Sequence, residues 1–156
     1  MLLAFRIILR ITLGGRLMHD IVLDERLKAD TLPVTELPLC RVLLMNDARF
    51  PWAVLVPRRT GASEVFDLSA DDQQQLWREA SALGAAMKDG FHGDKINIAA
   101  LGNVVSQLHV HVVVRTRRDE AWPAPVWGQG EPRPYTQDQQ ASARDQLLGQ
   151  IEGLSL

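Results

Sequence analysis

The sequence predicts an α+β domain with a largely antiparallel sheet, one main helix and a C-terminal helix. Two observations carry this. Short apolar runs come in two pairs, Leu39–Met45 with Trp52–Val56 and Ile96–Ala100 with Val104–Val114, and turn residues join each pair. A single long amphipathic helix stands between the pairs. The 156 residues suit one domain with a tail, and 46% hydrophobic with 23% charged residues excludes a disordered chain.

The elements follow in order. Residues 1–18 hold Arg6, Arg10 and Arg16 and no acid, a charge of +3 that leaves −5 on the remainder. This stretch is read as a mis-assigned start, a disordered extension or an amphipathic anchor, and not as a secretory signal, because arginines interrupt its apolar run. The domain proper is read over 19–118 and a Pro- and Trp-bearing C-terminal segment over 119–156. Asp24 to Asp30 is a short helix, and Thr31 to Pro38, with two prolines, is extended or looped. Asn46 to Pro51 turns the first strand pair. Ser69 caps the main helix to Asp89, Asp71 and Asp72 lie in its first turn, and Leu76, Ala80, Leu83, Gly84 and Met87 make its apolar face. Gly90 is the expected left-handed stop. Leu101-Gly102-Asn103 makes a short hairpin turn. Thr136 with Gln139 is a capping box for a last helix to about Leu148.

Charge and composition narrow the function. A net charge of −2 excludes a strongly basic nucleic-acid binder, and no apolar run is long enough to span a membrane. One cysteine, Cys40, supports neither a disulfide framework nor a four-cysteine zinc site. A cytoplasmic location is expected, with no nucleic-acid partner, no membrane and no cofactor.

The chemistry concentrates in Asn103–Arg115, NVVSQLHVHVVVR. Strand side chains alternate faces, so Leu108, Val110, Val112 and Val114 share an apolar core face. Gln107, His109, His111, Val113 and Arg115 share the other, which sets two imidazoles side by side. A neutral imidazole nitrogen is a nucleophile near neutral pH, and a second imidazole can donate to a phosphate oxygen. The same spacing suits two ligands of a metal, though a third is not placed by the sequence. Arg115 adds positive potential; Arg117 and Arg118 read as a solvated strand end.

These residues resemble the signature of the histidine triad (HIT) family, His-x-His-x-His with apolar x. His109 matches the second, nucleophilic histidine and His111 the third, which contacts phosphate. Gln107 stands in place of the first, and Asn103 where the family commonly has a Gln. Leu55-Val56-Pro57-Arg58-Arg59 resembles the family's apolar strand ending in Pro and a basic residue, and Asn46 (or Asp47) stands near the position that delivers an acid to the ribose. The resemblance covers about Ile21 to Arg115. It implies a homodimer that cleaves a dinucleoside polyphosphate or nucleoside phosphoramidate at the α-phosphate, through a nucleotidyl-histidine. His109, His111 and Gln107 are then the catalytic candidates, with Asn103, Asn46, Asn97 and Arg115 as substrate contacts and no metal. The alternatives are a non-catalytic nucleotide binder, a nucleotidyl transferase and a His-x-His metal-binding domain. Trp122 and Trp127 either stack on a base or pack the C-terminal segment. Trp77 reads as helix packing, Cys40 as strand core, and His19 and His92 as exposed.

Overall fold

The structure is a computed structural model and describes residues 21–156. The readings of residues 1–18 and of His19 lie outside these. Helix α1 (Glu25–Asp30) starts where the Asp24 carboxylate accepts the Arg26 N–H. Strands β1 (Thr31–Glu36), β2 (Cys40–Met45) and β3 (Trp52–Pro57) follow, then α2 (Ala70–Gly90), β4 (Lys95–Ala100), β5 (Val110–Arg115) and α3 (Gln137–Ile151). The five strands form one antiparallel sheet in the order β1-β2-β3-β5-β4. The segment expected to be looped at Thr31–Pro38 is thus an edge strand. It tolerates Pro33 because an edge needs no N–H on its outer side, and its register shifts between Pro33 and Thr35.

Both long helices lie on one face of the sheet. Leu76, Ala80, Leu83 and Met87 of α2 and Leu147 and Ile151 of α3 pack there on Val42, Leu55, Val110, Val112 and Val114. Glu79, completely buried, ties α2 to β2: its carboxylate accepts the N–H groups of Leu39 at 2.6 Å and Cys40 at 2.9 Å. Cys40 is core as expected, and burial pushes its thiol far above the ordinary range.

The other face is also covered, by helix α1 and irregular chain. Ile21, Leu27, Val105, Ala121 and Val126 close over Leu43, Trp52, Val54, Val56 and Val113. The histidine face of β5 is therefore a second core rather than a solvated surface.

Three local expectations are corrected. Ser69 caps α2 as read, but Gly90 is its last helical residue and not the left-handed stop. That role falls to His92 (φ 53°): its N–H reaches Asp89 O, and the Gly93 N–H reaches Lys88 O at 2.7 Å. This is the paired closure of a Schellman motif, with an exposed histidine in place of glycine. Second, pairing in β5 begins only at Val110, where Leu55 and Ala100 flank the chain. Residues 101–109 are a connection, and Leu108 gives its N–H to Ala62 O instead. Third, Trp77 is 52% exposed and is not helix core. The capping box of α3 forms between Thr136 and Gln139.

Among the described residues, no helix is long and apolar enough to cross a membrane.

Candidate active site

His109 and His111 come together where the 101–109 connection enters β5. Their rings stand edge to face with centroids 4.9 Å apart, and each residue is 5% exposed. Nδ1 of His109 lies 2.7 Å from the carbonyl oxygen of Gln107. A carbonyl only accepts, so Nδ1 carries the proton, and in the neutral ring Nε2 holds the lone pair. Nδ1 of His111 lies 3.0 Å from Nε1 of Trp52. An indole only donates, so here Nδ1 is the bare nitrogen and Nε2 carries the proton. The two rings are thus opposite tautomers, one with a free lone pair at Nε2 and one with a free N–H. Burial, and secondarily the neighbouring His109, lower His111 to a pKa of about 3, so it stays neutral at physiological pH.

The sheet explains this placement. His111 pairs with Val54, and Trp52, two residues earlier on β3, is its diagonal neighbour on the same face. Trp127 completes the enclosure, with its ring centroid 5.5 Å from His111 and 5.7 Å from Trp52. Its Nε1 is the one buried side-chain polar atom without a partner among the described residues. Trp122 is 36% exposed and stacks over the Arg115 guanidinium at 5.8 Å.

Gln107 acts here through two parts. Its backbone carbonyl orients His109. Its side-chain amide grips the incoming chain, accepting the Asp24 N–H at 2.8 Å and donating to Val22 O at 3.0 Å. Gln107→Leu is expected to lose about 1 kcal/mol of stability and to speed hydrogen exchange at the Asp24 amide, while His109 keeps its carbonyl partner.

The other candidate residues are dispersed. Asn103 is exposed in the connection and makes no hydrogen bond to either imidazole. Asn97 and Arg115 belong to a buried network under the C-terminal segment. Arg115, 2% exposed, donates to both oxygens of Asp119, to Asn97 Oδ1 at 2.8 Å and to Ala124 O at 2.8 Å. Arg117 is exposed, as read, with Asp94 at 4.0 Å. Asn46 receives the Tyr135 N–H on Oδ1.

Beside the aromatic wall a cleft of about 440 Å³ opens, lined by Asn46, Asp47, Arg49, Trp52, Trp127 and Arg26 among others. Residues 121–135 form one side of it as a strap. The strap is pinned by Ala48 N–H to Arg133 O at 2.7 Å, Arg133 N–H to Asp47 and Arg49 Nη1 to Gln129 O. Asp47, the alternative to Asn46 for the family's ribose-binding acid, is 2% exposed. Burial alone would raise its carboxyl, but the Arg49 guanidinium and the Arg133 and Arg49 N–H groups hold it below the usual range. Among the described residues, no group of three His, Cys, Asp or Glu side chains is placed to hold a metal.

Comparison with known proteins agrees with the fold. A family model for the HIT domain matches residues 26–118. A histidine triad protein from Marinobacter aquaeolei VT8 is 51% identical, with 86% of this chain and 98% of that one covered at a TM-score of 0.82. One from Sinorhizobium meliloti 1021 is 43% identical over 85% and 98%, also at 0.82. A third, from Bradyrhizobium japonicum, is 45% identical over 83% and 97% at 0.79. No curated protein matches the chain. The fold and the family match define the class, and the chain belongs to the histidine triad (HIT) family.

Proposed function

We propose that this protein is a nucleotide phosphohydrolase. It cleaves a dinucleoside polyphosphate or nucleoside phosphoramidate at the α-phosphate and releases nucleoside monophosphate. The observation that carries this reading is the pair of opposite tautomers. Nε2 of His109 attacks the α-phosphorus without first losing a proton, because its lone pair is already free. The positive charge that develops on the ring is shared through Nδ1–H with the Gln107 carbonyl. His111 Nε2–H donates to a phosphate oxygen where negative charge gathers. The bond from phosphorus to the leaving group breaks, and the leaving group departs with the electron pair. A phosphate leaves as its anion, and an amine takes up a proton from solvent. Water then attacks phosphorus and its proton passes to solvent, while the P–N bond breaks with its electron pair returning to Nε2, which restores the neutral ring.

In this reading the cleft beside Trp52 and Trp127 takes the nucleoside. Asn46, whose oxygen is occupied by Tyr135, offers its amide N–H groups to a ribose hydroxyl, and Asn103 reaches phosphate from the exposed connection. Arg115 and Asn97 support the wall. The chain works in the cytoplasm.

The test is release of nucleoside monophosphate from diadenosine tetraphosphate and from an adenosine phosphoramidate, without added metal. Turnover of either supports the reading, and the preferred substrate identifies the leaving group. Nucleotide binding without turnover overturns it in favour of a binding protein. Acceleration by an added acceptor alcohol or phosphate points to a transferase, and loss of activity to a chelator points to a metal site.

A second copy of the chain is the proposed partner. Strand β4 is a sheet edge. Trp77 lines a shallow hollow there with Val65, Ile98 and Ala100, and Phe66 (77% exposed) and Val104 (71%) add apolar surface. Trp77→Glu is expected to convert a dimer to a monomer in sedimentation equilibrium. Wild-type protein that is monomeric at tens of micromolar would remove the proposal.

A further inference from the structure

We infer that Trp52 is a positioning residue for His111: its indole N–H selects the tautomer in which His111 presents Nε2–H to the substrate. The argument needs only hydrogen-bonding capacity. The indole Nε1–H can donate and cannot accept, and it lies 3.0 Å from His111 Nδ1. A proton on Nδ1 would set two N–H groups against each other in a site where Trp52 is 6% and His111 5% exposed. Leaving either group unpaired there is costly, so the bond discriminates strongly between tautomers. Trp52 is itself held in place: its ring packs edge-on to Phe50 at 6.4 Å and to Trp127 at 5.7 Å. The indole is therefore a fixed donor, and the imidazole adapts to it.

The arrangement is asymmetric. Backbone orients His109, so no side-chain substitution at position 107 removes its acceptor. A side chain from another strand orients His111, so its tautomer can be changed by mutation. This makes Trp52 the sensitive control on the donor half of the pair. The catalytic consequence rests on the hydrolase reading above; the tautomer itself does not.

The experiment is long-range ¹H–¹⁵N correlation of histidine-labelled, substrate-free protein at pH 7.5, followed by kinetics. Wild type is expected to show His111 with a bare Nδ1 and a protonated Nε2, and His109 with the reverse. In Trp52→Phe, the His111 nitrogen shifts are expected to move toward a mixture of both tautomers while His109 stays unchanged. The kcat for monophosphate release is expected to fall about tenfold with KM little altered, less than the hundredfold typical when a donor to developing charge is lost outright. A protonated Nδ1 on His111 in wild type overturns the proposal even if no variant folds. Unmoved His111 shifts in folded Trp52→Phe also overturn it and make Trp52 packing only. If the wild-type tautomers are as expected but no substrate turns over, the hydrolase reading fails while the positioning role stands.

Discussion

Replacing His109 with alanine is expected to abolish monophosphate release, with a loss of at least about 10⁴-fold, comparable to removal of a nucleophile elsewhere. The size follows from what else the site contains. His111 cannot substitute, because its bare nitrogen faces the Trp52 N–H and its other nitrogen bears a proton. Cys40 cannot take its place either: it lies in the helix-side core, and burial raises its thiol far from ionisation. Alanine should leave the fold intact, since His109 contributes one hydrogen bond to a carbonyl and its neighbours Leu108 and Val110 carry the packing. The measurement is single-turnover release, with trapping of labelled nucleotide on the protein. Wild type should acquire acid-labile label and His109→Ala none. A mutant rate within tenfold of wild type would exclude His109 as nucleophile.

Arg115→Ala is expected to destabilise the fold by about 3–5 kcal/mol, the range for removing one partner of a buried ion pair. Arg115 and Asp119 are 2% and 7% exposed at the side chain, so alanine strands a buried carboxylate and frees Asn97 and Ala124. The effect should depend on acidity in a defined direction. Burial pushes the Asp119 carboxyl up, but the Arg115 guanidinium and the Thr116 and Ala121 N–H groups more than offset this, so it sits below the ordinary aspartate value. A carboxyl lowered in the native state stabilises fully above its unfolded pKa of about 3.9 and loses that contribution as pH falls through the lower folded value. Urea denaturation should therefore show the full difference between wild type and Arg115→Ala at pH 7. The difference should narrow only below about pH 4. A residue that contacts substrate would instead raise KM and leave stability unchanged.

How far each feature was legible depended on whether it is written locally. Helix α2 was plain because Ser69 and the spacing of Leu76, Ala80, Leu83 and Met87 are both short-range signals. The alternation in β5 correctly assigned Val110, Val112 and Val114 to one core and the histidines to the other face. The same alternation overextended the strand to Val104, because side-chain pattern does not reveal where hydrogen-bonded partners run out. Arg115 followed the pattern onto the histidine face, yet its partners Asp119 and Ala124 belong to a chain with no periodicity. Likewise Trp52 read only as part of an apolar run. Its donor role depends on diagonal pairing with His111, 59 residues away. Asn46 was singled out for a ligand, but its oxygen is met by Tyr135, a contact for which neither residue carries a sequence signal.

The strap that walls the cleft has a consequence in time. Its anchors join residues far apart in the chain: Arg49 to Gln129 across 80 positions, Asp47 to Arg133 across 86 and Asn46 to Tyr135 across 89. By contrast, β4 and β5 meet across the ten positions from Ala100 to Val110. Closing the longer loop costs about 2 kcal/mol more chain entropy than closing the shorter one. Contacts of such separation form after the local ones that shorten the intervening path. The β4–β5 hairpin that carries the imidazoles is thus expected to pair before the wall beside it docks. Folding is therefore expected to bring the histidine pair together while it is still open on the Trp127 side, with docking of the C-terminal segment closing that wall last.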